Sequence, residues 1–191
     1  MKKQFIILGL LVSLLCGCSQ TTVSPERWER AHELVDKGDL ALRQGRFDDA
    51  EVAFSMAWDI AKVPSAVDGK GCVALVRGDL ATAERYFSQA LETDNEYKHA
   101  LGNLALVRDL QGREREAKEL YNQALEADPE NVQARNNRAV LEYESEGSTL
   151  GALRELRKAA LSEDRGVIGA NIEVLSSDTE NALGKVTESH G

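Results

Sequence analysis

The sequence predicts an all-α fold, a solenoid of about four helix–turn–helix units closed by a C-terminal capping helix. Three observations carry this. One phrase recurs four times, as RQGRFDDAEVAFSMAWDIA, VRGDLATAERYFSQALETD, LQGREREAKELYNQALEAD and SEGSTLGALRELRKAALSED. The glycines that open it (Gly45, Gly78, Gly112 and Gly147) are 33, 34 and 35 residues apart, a period typical of repeat architectures. Within each copy the same triplet follows: Ala50/Phe54/Ala57, Ala83/Phe87/Ala90, Ala117/Tyr121/Ala124 and Ala152/Leu156/Ala159. Finally, 42% hydrophobic content with only 5% aromatic residues and three prolines is weighted to alanine and leucine, which suits close-packed helices better than sheets.

The elements follow in order. Ser24-Pro25-Glu26 supplies an N-cap, a proline at the first helical position and an early acid, so a first helix runs from there to Gln44. Further helices are expected at about 47–62, 64–77, 80–93, 97–111, 114–127, 131–146 and 148–161. In the second helix of each unit, spacing of four then three puts both alanines and the bulky residue on one face. The first helices carry a small residue at one fixed place: Gly38, Gly71, Ala105 and Ala139. RGVIGANIEVLSS (Arg165–Ser177) reads as a helix covering the edge of the last unit, which a solenoid needs for solubility. DTENALGKVTESHG has little to bury and is expected to be disordered.

The period, the paired alanines and the small residue resemble tetratricopeptide repeats (TPR), with their W-x2-L-G-x2-Y…A-x3-F…P pattern. The resemblance spans roughly residues 31–164 and is stronger in the second helices than in the first. The Trp position holds Leu34, Val67, Leu101 and Arg135; the Tyr position holds Ala41, Ala74, Arg108 and Glu142; the proline is present only as Pro129. It implies a right-handed superhelix with units at about 31–63, 64–97, 98–131 and 132–165 and a cap at 166–177, the whole domain being 25–177. The first helix of each unit would line the concave side.

Groove-facing positions of that family map to Val35, Asp39 and Leu42, then Cys72, Leu75 and Val76, then Asn103, Leu106, Asp109 and Leu110, and last Asn136, Val140 and Tyr143. This set is aliphatic with scattered Asn and Asp, and poor in Lys and Arg. Some relatives clamp a C-terminal carboxylate with a Lys/Asn/Arg set. Asn103 and Asn137 fit the asparagine, but the paired basic residues are missing, so that mode is not expected. An apolar groove with amide donors suits a partner helix or an extended segment. Several of the aliphatics are expected to belong to the core between units.

The N-terminus opens with Lys2 and Lys3 and an apolar run of eleven, FIILGLLVSLL, too short for a stable membrane span and suited to a signal peptide. Leu15-Cys16-Gly17-Cys18 resembles the lipobox of bacterial lipoproteins. That resemblance implies cleavage after Gly17 (leader 1–17), diacylglycerol and acyl chains on Cys18, and a polar tether through residue 24. Ser19 after the cysteine, rather than Asp, is similar to lipoproteins passed on to the outer membrane, so a periplasm-facing address there is expected. Cys16 would leave with the leader and Cys18 would be blocked, so Cys72 would have no intrachain partner.

The net charge of −9 argues against non-specific nucleic-acid binding and against adhesion to anionic lipid through basic patches. His32, His99 and His190 have no ligand spacing. DGKGC (Asp68–Cys72) lacks the frame of a phosphate-binding loop, and no G-x-S-x-G or H-E-x-x-H occurs. No catalysis, cofactor or metal is expected, and Cys72 reads as a semi-buried small hydrophobe.

The reading that remains is a membrane-anchored scaffold that binds another envelope protein through its groove. Lipobox, short tether and four repeats resemble pilus-assembly lipoproteins, the type IV pilus pilotins and the TPR lipoproteins of tight-adherence systems; ARNNRAVLEYESEG is similar to an N-N-x-[AG]-x-x-L segment such proteins carry. The partner would then be a secretin or pilus component. The alternative is an adaptor regulating a cell-wall hydrolase, protease or synthase. Self-association through the edges of the solenoid is left open.

Overall fold

A computed structural model of the 191-residue chain describes residues 23–146, 149–159, 171–173 and 176. The leader, Cys18, Gly147 and the tail 178–191 lie outside the described residues. Eight helices are described: α1 (Pro25–Arg43), α2 (Phe47–Ala61), α3 (Pro64–Val76), α4 (Leu80–Thr93), α5 (Lys98–Leu110), α6 (Glu114–Ala127), α7 (Val132–Glu146) and α8 (Thr149–Ala159). Each boundary lies within two residues of the one read from sequence.

Local chemistry explains the punctuation. Ser24, Asp79 and Asn131 accept from the backbone N–H three residues on and so cap α1, α4 and α7. Between paired helices the chain turns in three residues around Gly45, Gly78 and Gly112, whose φ values of 72°, 78° and 73° lie in the left-handed region. The residue after each glycine then donates back to the carbonyl five positions earlier, at 2.9 Å (Arg46 to Ala41), 2.9 Å (Asp79 to Ala74) and 2.8 Å (Arg113 to Arg108). The glycines that mark the repeat in sequence are thus the stop signals of the first helices. Between units, the Asp94 and Asp128 carboxylates accept from the N–H two residues on and hold the chain for its next reversal.

Consecutive helices pack in pairs, α1 on α2 through α7 on α8. The second helix of each unit also packs on the first helix of the next. First helices touch one another in series, α1 to α3, α3 to α5 and α5 to α7, and so share one face of the solenoid. At the far end Asn171 donates to Asn136 at 2.9 Å, and Ile172 packs on the cluster of Ala139, Ala152, Leu153 and Leu156. The described part of the capping segment therefore stacks where a further first helix would.

The small residues of the first helices have a steric reason. Phe54 is fully buried, and a β-carbon built on Gly38 would lie 2.5 Å from its ring, one on Gly69 2.4 Å. Gly71 meets Phe87 in the same way at 2.4 Å. Where alanine replaces glycine, Ala105 clusters with Tyr121 and Ala139 with Leu156. α3 is small and buried nearly all round (Ala66, Val67, Asp68, Gly69, Gly71, Val73 and Ala74), because it faces one ring in the preceding unit and one in its own. Gly71→Ala is expected to destabilise by about 1–3 kcal/mol through overpacking. Phe87→Leu in the same chain should recover much of that loss, because it removes the ring edge that the new methyl meets. Urea denaturation of both variants measures this, and a double variant no more stable than Gly71→Ala alone would refute it.

Ion pairs also tie the units. Arg108 of α5 reaches Glu84 of α4 at 2.5 Å, and Gln111 donates to the same carboxylate at 2.8 Å. The Gln111 amide and Arg108 together hold Glu84 below the usual carboxylate range. Arg77, just after α3, pairs with Asp48 at 2.5 Å and Glu51 at 2.6 Å on α2.

Candidate functional site

The C-terminal half of α1, the N-terminal parts of α3 and α5, and the segment leading into α7 line an open cavity of about 640 Å³. Of the residues mapped to the groove, Val35, Asp39, Cys72 and Asn103 line it, joined by Arg43, Asp68, Tyr97, His99 and Asn131 among others. Gly69 and Gly102 both line it; the side-chain position of Gly69 is taken up by Phe54, and only that of Gly102 is empty. Gly102 stands where Asp68 and Asn136 stand in the neighbouring units, and a β-carbon there would meet nothing nearer than Ala134 at 3.9 Å. The missing side chain keeps the cavity open between α3 and α7.

At its centre the Asn103 amide donates to Asp68 Oδ1 at 3.1 Å and to Cys72 Sγ at 3.6 Å. The bond spans 35 residues, the same step as Asn171 to Asn136. An amide from one unit thus reaches one position back in the unit before, a polar stitch across the stack. Asp68 is only 8% exposed. Burial pushes its carboxyl up to about 7, Asp39 adds repulsion, and the Asn103 bond opposes the rise. Asp39 is also raised, first by burial and then by Asp36, with Arg43 and His99 pulling it down. Burial, then the charges of Asp68 and Asp39, pushes the Cys72 thiol far up, so it is a poor nucleophile. Burial lowers His99 and Lys98 adds to that, against Asp128 and Asp39. Among the described residues no group of His, Cys, Asp and Glu is arranged to hold a metal ion.

The other mapped residues lie elsewhere. Leu42 packs against the α1–α2 core, to which Val35 also belongs. Leu75 packs against the Phe87 cluster, and Tyr143 against the α7–α8 cluster. Leu106, Asp109 and Val140 are half-buried. Val76 and Leu110, each the last residue of its helix, are 56% and 57% exposed. Asn136 is buried, donating to Asn137 at 3.0 Å and accepting from Asn171. The groove is therefore of two kinds: polar and acidic at the cavity where α1, α3 and α5 meet, with exposed aliphatic residues at the last positions of α3 and α5.

Asp68, Tyr97 and His99 are not among the groove positions mapped from sequence, where Asp68 and His99 figure only in motifs that are set aside. Asp68 had a readable signal, being the only acid in PSAVDGKGCVALV, a helix that is small and apolar apart from Ser65 and Lys70. Such an acid is either buried or functional. His99 and Tyr97 had none, since their part in the cavity depends on how α5 seats against α3.

Stacked helix pairs with a recessed site along their first helices define a TPR solenoid, and this chain has that all-α fold. Residues 74–141 match a family model described as tetratricopeptide repeat. Among solved structures, pilF of Pseudomonas aeruginosa is similar with a TM-score of 0.70 at 17% identity, over 83% of this chain and 72% of that one. TTC0263, a thermophilic TPR protein of Thermus thermophilus, has a TM-score of 0.68 at 18% identity, covering 78% of this chain and 82% of its own. The first TPR of Spaghetti (RPAP3), bound to the HSP90 peptide SRMEEVD, has 0.57 at 23% identity, covering 61% and 95%. At these identities the likeness is one of fold. No curated protein matches the chain.

Proposed function

We propose that this protein is a non-enzymatic TPR scaffold, tethered by lipid on Cys18 at the outer membrane, that holds a segment of another envelope protein in its groove. The observation that carries the reading is the continuous face of first helices, open at the acidic cavity and exposing Val76 and Leu110. A surface of this shape suits an extended or helical segment, with apolar side chains supplying affinity and amides setting register. The peptide bound by the RPAP3 repeat shows that such a fold can serve as a peptide receptor. The resemblance to pilF supports a pilus or secretin partner over a cell-wall enzyme.

Photo-crosslinkers placed at Leu75, Leu106 and Val140 in living cells are expected to capture one envelope protein that a crosslinker at exposed Arg85 does not. Empty captures from the three positions, with capture from Arg85, would sink the groove reading. Cys18→Ser is expected to release the protein from membranes, and undiminished membrane retention would refute the anchor. Deletion should mislocalise a secretin while peptidoglycan processing stays normal. Altered hydrolase abundance with normal secretins would point to the adaptor role instead.

A further inference from the structure

Asp39 and Asp68 line one cavity, and among the described residues neither is ion-paired with a lysine or arginine. Of the cations around it, Lys98 and Lys70 are engaged, while Arg43 lines the same cavity. Lys98 pairs with Asp128 at 2.9 Å, Lys70 lies over the Tyr86 ring at 4.7 Å, and exposed Arg43 acts on Asp39 without pairing. Asp68 is nine-tenths buried, its Oδ1 is held by Asn103, and no donor among the described residues reaches its Oδ2. A buried carboxylate without a counter-ion is costly, and an entering cation would offset that cost. A metal ion does not fit, since no third ligand is in place. The volume of about 640 Å³ is of the size that engulfs a whole side chain with its adjoining backbone.

We propose that the cavity is a lysine subsite: the ammonium of a partner segment's lysine enters between Asp39 and Asp68, and its methylene stem lies against Val35 and the bare backbone of Gly102. This rests on the groove reading above and names the chemistry of its occupant. It also accounts for the fate of Asn103, whose amide is committed to a carboxylate of its own chain rather than offered to an incoming one. Two acids in the cavity repel a C-terminal carboxylate and attract an amine. The groups that face Asp68 are Asp39 and Arg43 from α1, Cys72 from its own helix, Tyr97 and His99 at the start of α5, and Asp128 after α6. As pH rises through about 7 Asp68 gains its charge, and His99, already held low, is uncharged, so affinity for an amine should rise with pH.

The test uses the full-length chain in detergent, titrated with Nα-acetyl-lysine methylamide and, in parallel, the same compound acetylated on its side-chain nitrogen. Saturable shifts of the Gly69, Gly102 and Asn103 amide resonances are expected with the first compound and none with the second. Asp39→Asn and Asp68→Asn should each weaken binding about tenfold or more. Asp39→Asn alone suffices if the other variant fails to fold. Lowering the pH from 8 to 6 should weaken binding in the parent chain. Absence of saturation, equal binding of the acetylated compound, or unchanged affinity in Asp39→Asn would overturn the proposal. Crosslinks that capture a partner lacking lysine at the contact would overturn it while leaving the groove reading intact. Lysine binding with empty crosslinks would overturn the protein source and assign the cavity to a free amine.

Discussion

Phe54→Ala is expected to lower stability by about 3–5 kcal/mol, the range for removing a fully buried ring. The ring has no exposed surface, and it fills the space between Gly38 of its own unit and Gly69 of the next. Neither glycine has a side chain that could move into the hole, so the void would stay largely unfilled. Because the ring joins two units, the loss should fall on their interface as well as on the first pair. In a solenoid each unit contacts only its neighbours, so the damage should spread poorly towards α7 and α8. Hydrogen exchange should therefore show protection lost in α1 to α3 and kept in α5 and α6. A thermal midpoint lowered by less than a few degrees would contradict the packing described here.

The second large effect concerns pH. The Asp68 carboxyl is pushed up to about 7 in the folded chain, from 3.8 when exposed. Between those values the folded state binds a proton that the unfolded state has lost, so stability falls as pH rises from about 4 to 7. The loss is complete above 7 and amounts to about 4 kcal/mol at most. Asp68→Asn removes the titration while keeping an acceptor for the Asn103 amide. The variant should match the parent near pH 4 and exceed it by about 2–4 kcal/mol at pH 8. Urea midpoints at the two pH values measure this directly. Equal pH slopes for variant and parent would show that Asp68 is not the group responsible. If the lysine subsite holds, the more stable variant is also the weaker binder, the usual exchange at sites kept for function.

Much of the fold was legible because its determinants are local or periodic. Pro25 after Ser24 marks a helix start by covalent geometry and a side-chain oxygen. Gly45, Gly78 and Gly112 mark turns because the backbone there needs a left-handed residue. The Ala50/Phe54/Ala57 triplet marks a packed face because helical spacing places it on one side. Of the mapped positions, Val35, Asp39, Cys72 and Asn103 line the cavity, and they came from the groove positions of the family that the repeats resemble. Register counts positions along a helix and says which side chains share a face; the resemblance to TPR implied which face is concave.

What register could not supply is depth and neighbourhood. Val35 and Asn136 share groove positions with exposed residues yet are buried, one in the first unit's core and one beneath Asn171. The acidic character of the cavity depends on Asn103 meeting Asp68 across 35 residues, and on Gly102 leaving its place empty. By itself, then, the sequence determined an all-α stack of repeated helix pairs, because period, turn glycines and helical spacing are properties of the chain. Only the tertiary structure decided that two carboxylates, neither in an ion pair among the described residues, end up in one cavity, because that follows from how α1, α3 and α5 seat against one another.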